Sequence, residues 1–184
     1  MSRRILAGLF MTLDGSVHEP GEWSFPYFNE QVGEIIGANM QASDAMLLGR
    51  RTYDAWADYW PGKTAEDDQF ADYINNVQKY VVSTTLKEPL TWKHTELLTG
   101  LDQVAKLKEQ PGKDIAMSGS ITLVGSLLRE GLLDELSLLV SPIVLGKGQR
   151  LFEDPSGSIG LKLIESRTLD NGVLALRYQR AEGR

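Results

Sequence analysis

Apolar residues recur along this chain in two rhythms that take turns. Between Asp114 and Gly148 the short run Ile115-Ala116-Met117 breaks into Ser118-Gly119-Ser120. Ile121, Val124, Leu127 and Leu128 then follow at spacings of three and four and end in Arg129-Glu130-Gly131, before Leu136–Val140 turns apolar again. That spacing predicts a helix between two strands, with Gly131 as a left-handed C-terminal cap. The same alternation predicts strands over Arg4–Thr12, Ala45–Leu48, Lys79–Ser83 and Thr95–Leu98. Helices are expected over Phe28–Gln41 (through Val32, Ile35, Ile36 and Met40), Tyr53–Tyr59, Asp67–Asn76 and Leu101–Glu109. After Gly148 an irregular link runs through Asp154-Pro155-Ser156-Gly157. Leu161–Leu169 and Val173–Gln179 then alternate polar and apolar around Asp170-Asn171-Gly172, a hairpin signal in which Asn-Gly suits a type I′ turn.

Strands that alternate with helices predict an α/β fold, a mostly parallel sheet covered on both faces, with the terminal hairpin adding antiparallel strands at one edge. No repeat, low-complexity tract or linker interrupts the pattern, so one domain over 1–184 is expected.

Composition narrows the class. With 184 residues, 42% hydrophobic and 24% charged, the chain can bury a sizeable core. It lacks the roughly 18 consecutive apolar residues of a membrane span. The basic start, Met1-Ser2-Arg3-Arg4, leads into a short run, Ile5–Met11, that contains Gly8 and reaches Asp14 without a cleavage site; it reads as a strand and not a signal peptide. With no cysteine, the chain has no disulfide, thiolate or Cys-ligated metal, which fits the cytoplasm. The two histidines, His18 and His94, argue against a His-rich metal site. Nineteen basic against 25 acidic residues give a net charge of −6, which disfavours nucleic acid as a partner.

Chemistry gathers where parallel strands end, which is where open α/β sheets bind their ligands. Gly49-Arg50-Arg51-Thr52 sets guanidinium donors and a hydroxyl at a helix start, Ser83-Thr84-Thr85 adds hydroxyls, and Ser118-Gly119-Ser120 offers backbone donors at the positive end of a helix. Together they suit a ligand with two separated phosphates, such as NADP. The other reading makes Arg50-Arg51 a solvated pair and the small residues a plain turn and cap. G-x-G-x-x-G is absent, which disfavours a standard Rossmann module. Leu13–Gly21 is dense in turn formers and is expected to be a loop, a candidate lid. Trp23, Phe25, Tyr27 and Phe28 form either packing anchors or an aromatic wall beside a flat ligand.

The segments Met11-Thr12-Leu13-Asp14-Gly15, Leu48-Gly49-Arg50-Arg51-Thr52-Tyr53, Val81-Val82-Ser83 and Ser118-Gly119-Ser120 resemble the dihydrofolate reductase superfamily. Gly131-Leu132-Leu133-Asp134-Glu135, Ser141–Gly148 and Leu151-Phe152 are similar to the C-terminal reductase domain of the bifunctional riboflavin-biosynthesis deaminase/reductase and its stand-alone relatives. The resemblance implies a three-layer αβα fold with a mixed, mainly parallel sheet of about eight strands, and family members are often homodimers. It implies an NADPH-dependent reductase that passes hydride to a small polar heterocycle or sugar-imine, as 5-amino-6-(5-phosphoribosylamino)uracil reductase does. Gly49, Arg50, Arg51 and Thr52 would hold the 2′-phosphate side and Ser83 and Thr84 would flank the adenine ribose. Ser118, Gly119, Ser120 and Ile121 would carry the pyrophosphate, and the loop with Asp14, Gly15 and Val17 would close over the nicotinamide.

The cysteine and histidine ligands of the deaminase half are missing. The acid that dihydrofolate reductases place early in their first long helix would fall near Gly33, with Glu30 and Glu34 only its neighbours, and their folate-gripping arginine has no counterpart before Gly62. Asp14 is the first candidate for substrate contact or proton delivery, with Glu30 and Glu34 behind it. Otherwise Asp14 is a turn residue and the glutamates a solvated helix face. A non-catalytic NADP(H)-binding module and a dihydrofolate reductase are the alternatives.

Overall fold

A computed structural model describes residues 2–153 and 157–181 of the chain; positions 154–156, on which most of the expected irregular link falls, lie outside the described residues. Eight strands, β1 (Ile5–Thr12), β2 (Ser43–Gly49), β3 (Gln78–Val82), β4 (Thr95–Leu98), β5 (Asp114–Ser118), β6 (Glu135–Ser141), β7 (Leu161–Thr168) and β8 (Leu174–Arg180), form one sheet in the order β4-β3-β2-β5-β1-β6-β8-β7. Strands β4 to β6 in that row run parallel. β8 is antiparallel to β6, and β7 to β8. The mixed, mainly parallel sheet with its C-terminal hairpin is therefore as expected.

Helices α1 (Pro20–Trp23), α2 (Glu30–Gln41), α3 (Arg50–Tyr59), α4 (Ala71–Asn76), α5 (Leu101–Glu109) and α6 (Ile121–Arg129) pack around the sheet. On one face Ile5, Ala7 and Leu9 of β1 meet Val104 and Leu107 of α5 and Val124 and Leu127 of α6. On the other, Met46, Leu48 and Ala116 meet Tyr53, Ile74 and Trp92, while Phe10 and Leu139 meet Val32, Ile35 and Ile36 of α2. Each fully buried side chain of this kind contributes about 1.5–3 kcal/mol over leaving it exposed.

Local chemistry moves several boundaries. α2 starts at Glu30 and not Phe28, because the Asn29 side chain accepts the Val32 N–H (3.0 Å) and caps it. α4 is shorter than Asp67–Asn76. Asp67 accepts from the backbone and hydroxyl of Thr64 (2.9 and 3.1 Å) and Asp68 from Phe70 N–H (2.8 Å), and such local bonds compete with a helix. The loop after β1 contains α1 and a 3₁₀ turn, Phe25–Tyr27. The hairpin turn is not type I′. Of its residues Gly172 alone has positive φ (+82°), and Gly172 N–H reaches Leu169 C=O (2.9 Å), a turn closed by a glycine bulge. Asn171 instead donates through its amide to Tyr27 C=O (2.6 Å), which ties the hairpin to the loop before α2.

Among the charged residues buried in the framework are Glu135 and Lys79. Glu135 opens β6 and accepts from Arg4, just before β1 (2.6 Å), and Arg177 of β8 (2.8 Å). Burial pushes its carboxyl up, but the two guanidinium groups outweigh it and hold it below the usual range. Lys79 of β3 is fully buried; its ammonium donates to the carbonyls of Ile74 (3.0 Å) and Val77 (2.8 Å) at the end of α4 and sits 4.5 Å from the Trp92 ring centre. Burial lowers its pKa to about 8.

Candidate functional site

Because β3, β2, β5, β1 and β6 are parallel neighbours, the residues at or just past their ends line one edge of the sheet in the order Ser83, Gly49, Ser118, Thr12, Ser141. The stretches singled out in the sequence thus share one edge.

Two of them touch. A methyl group built on Gly49 would overlap the Ser120 hydroxyl and fall 2.7 Å from Ser120 Cβ, and one built on Gly119 would fall 3.4 Å from Thr52 Oγ1. Gly119 (φ +87°) and Ser120 (φ +63°) are both left-handed, a cost of about 1–2 kcal/mol for the serine. This double turn brings the start of α6 against the start of α3. The first intrahelical bond of α6 runs from Val124 N–H to Ser120 C=O (2.9 Å), which leaves the N–H groups of Ile121, Thr122 and Leu123 at the open helix end.

Arg50 and Arg51 are exposed in the first turn of α3. Arg50 donates to Thr85 Oγ1 (3.0 Å) and pairs with Asp54 (3.4 Å), so it reaches across to the end of β3. Ser83 is buried, and its hydroxyl accepts the N–H groups of Thr85 and Leu86 (3.1 Å each), which fixes the turn that leaves Thr84 exposed. Val17 is buried in the core, with its N–H on Gln149 C=O (3.0 Å).

The Asp14 carboxylate is a clasp. Oδ1 accepts from Thr12 Oγ1 (2.6 Å) and Leu145 N–H (3.2 Å), and Oδ2 accepts from Gly146 N–H (2.9 Å). The Thr12 hydroxyl and the Gly146 amide lead these bonds in lowering its pKa to about 2. At neutral pH it holds no proton to give. The clasp fastens the loop after β1 to the segment after β6, where Arg150 Nε also donates to Asp14 C=O (3.0 Å). Glu30 and Glu34 are exposed on α2, and neither lines the cavity beneath that helix.

That cavity, about 80 Å³, lies between α2 and the middle of β1, β5 and β6. Ile35, Ile36 and Met40 roof it, Phe10 and Leu139 wall it, and Ser118 joins it to the double turn. Asn39 and Ser137 also line it, and the sequence reading passed over both. Asn39 carried a signal, since it interrupts the apolar stripe Ile35-Ile36-Met40 on one face of α2. Ser137, inside an apolar strand, carried none.

The sequence profile of the RibD C-terminal domain matches residues 3–175. The uncharacterised protein YyaP of Bacillus subtilis (strain 168) is 34% identical over 179 residues, 96% of this chain and 94% of its own. Among solved structures, a protein of Shewanella sp. PV-4 assigned to riboflavin biosynthesis superposes with a TM-score of 0.78 at 23% identity, over 99% of this chain and 100% of the other. The dihydrofolate reductase of Enterococcus faecalis, solved with NADP(H) and RAB-propyl, gives 0.65 at 10% identity, over 99% and 100%. At such identities the two structures share the fold.

Proposed function

The chain belongs to the RibD C-terminal domain family, and from that premise we propose that it is an NADPH-dependent reductase of a small heterocyclic or imine substrate. The observation that carries the proposal is the contact between the Gly49–Thr52 turn and the Ser118–Ser120 turn beside the cavity under α2. Glycines at both turns let the two backbones close on one another, and the exposed Arg50 and Arg51 suit a ribose 2′-phosphate. The N–H groups that open α6 suit a pyrophosphate. Thr84 would flank the adenine ribose, and Ser83 would hold that turn in shape. NADPH supplies the hydride. Asp14 acts by fastening the loop, with Gly15 and Val17, over the site and excluding water. Because no ionisable side chain among the described residues lines the cavity, the proton comes from water and not from Glu30 or Glu34.

We place the protein as one domain, cytoplasmic and homodimeric. β7, exposed along most of its length with Leu163 and Ile164, is the edge that suits a second copy. No helix among the described residues is long and apolar enough to cross a membrane.

Titration of NADPH against NADH, in wild type and in Arg50→Ala and Arg51→Ala, tests the proposal. One phosphate contact is worth about 1.5–3 kcal/mol, so each variant should lose about tenfold or more in NADPH affinity and little in NADH affinity. Equal affinity for the two cofactors in wild type would overturn it. The lack of an acid in the cavity also favours a second reading, a non-catalytic NADP(H)-binding module. NADPH oxidation over a panel of heterocycles that includes dihydrofolate separates the two, since tight binding with no oxidation identifies the module.

A further inference from the structure

The cavity under α2 selects its guest by charge, an inference that rests on the reading of this sheet edge as a reductase site. Gly8 pairs with Ser118 of β5 on one side and Ser137 of β6 on the other, so the three residues form a row on one face of the sheet. Asn39 hangs over the middle of that row, its Nδ2 3.9 Å from where a Gly8 side chain would begin. A larger residue at Gly8 would occupy the space beneath the amide.

These polar groups are uncommitted. Asn39 is bonded through its backbone carbonyl, which accepts from Ser43 Oγ (2.9 Å). No described residue bonds its side-chain amide or the hydroxyls of Ser118 and Ser137. Ser137 is only 8% exposed and lines the cavity. Apart from this row the walls are apolar, and no described residue that lines them carries a charge. The cavity, about 80 Å³, is smaller than the roughly 150 Å³ that admits a whole benzene ring, so it takes one edge of a ring.

We propose that the cavity is a specificity pocket for a neutral, carbonyl-bearing ring, and that Asn39 selects it. Asn39 Nδ2 donates to the ring carbonyl and Oδ1 accepts a neighbouring N–H, with Ser118 and Ser137 completing the row. A guest without polar groups would cover the amide and the hydroxyls and leave them unpaired, which is how a polar pocket rejects an apolar analogue. A carboxylate or phosphate would lose its water and meet no cation. The group that enters this pocket therefore carries no phosphate.

Benzamide and benzoate have the same shape and differ in charge. Each is titrated into the full-length chain, labelled for NMR, with and without saturating NADPH. The signals followed are the Asn39 side-chain amide and the methyl groups of Ile35, Ile36 and Met40. Benzamide should shift these signals saturably and benzoate at least tenfold more weakly. Asn39→Leu should cost benzamide about tenfold while NADPH affinity and thermal midpoint hold, and Asn39→Asp should transfer the preference to the cation benzamidine. Ser137→Ala, a smaller change with a loss of a few fold, serves if Asn39→Leu fails to fold. Benzoate binding as well as benzamide, no shift by either, or indifference to Asn39→Leu would overturn the inference. NADPH titration of the same samples reports on the reductase reading: loss of cofactor binding with benzamide selectivity intact would sink that reading and leave the pocket chemistry standing.

Discussion

Gly49 and Ser120 meet where two strand-to-helix junctions cross, and the space a side chain would take at Gly49 is filled by the Ser120 hydroxyl. Gly49 has an ordinary φ of −86°, so it is the lack of space and not the backbone angle that requires glycine. Gly49→Ala should therefore destabilise the chain by about 1–3 kcal/mol, the usual cost of overpacking. It should also weaken NADPH binding by pushing the two turns apart. Chemical denaturation and cofactor titration of the one variant read both effects, and an alanine tolerated in both would mean that the turns are not held in contact.

The Asp14 clasp gives the protein an acid limit. Its folded pKa is depressed from 3.8 to about 2, so the stability it lends is present above pH 3.8 and is lost as pH falls toward 2. Asp14→Asn should flatten the fall in stability across that window in urea denaturation. If the reductase reading holds, the variant should also keep part of its turnover at pH 7, with a raised KM. Complete loss of turnover with cofactor and substrate binding intact would give Asp14 a direct part in the chemistry.

Glu135 ties the start of β6 to β8 and to the residue before β1 through two guanidinium groups. Glu135→Gln keeps the shape and removes the charge, and should cost about 1–3 kcal/mol because Arg4 and Arg177 lose their shared acceptor. The folded pKa of Glu135 is depressed, so its contribution too is present above the ordinary carboxylate range and fades as pH falls through it. Comparison of wild type and variant at pH 7 and pH 4 should show the gap narrowing.

Lys79 acts in the opposite pH range. With a folded pKa near 8 against an ordinary 10.5, the native chain holds fewer protons than the unfolded one between those values, so stability should rise with pH across them. The carbonyls and the Trp92 face favour the ammonium and temper that rise. Lys79→Met should remove the slope. A slope that persists in the variant would have to come from another group.

The fold was legible where apolar spacing was long and regular. The α6 unit between β5 and β6 appears as its spacing of three and four predicts, with Gly131 (φ +69°) as its cap. Ends were less legible, because side-chain bonds settle them: Asn29 starts α2, Asp67 and Asp68 delay α4, and Asn171 turns away from the type I′ shape to reach Tyr27. At the site, small residues and arginines at strand ends signalled the turns that meet at Gly49 and Ser120. What Asp14 does was hidden, because its partners Leu145 and Gly146 lie more than a hundred positions away and act through backbone amides that any residue but proline offers. Ser137 was hidden because only pairing register sets it beside Gly8.

The strand order also dictates how this chain must be made. Ile5 pairs with Ile115 and Thr12 with Ser141, so β1, the earliest of the eight described strands, has neither neighbour until β5 has been made. Until then Ile5–Thr12 has both edges bare, and contacts so distant in sequence close slowly. A chain cut before β6 therefore keeps one edge of β1 unpaired, an open template for pairing with another chain.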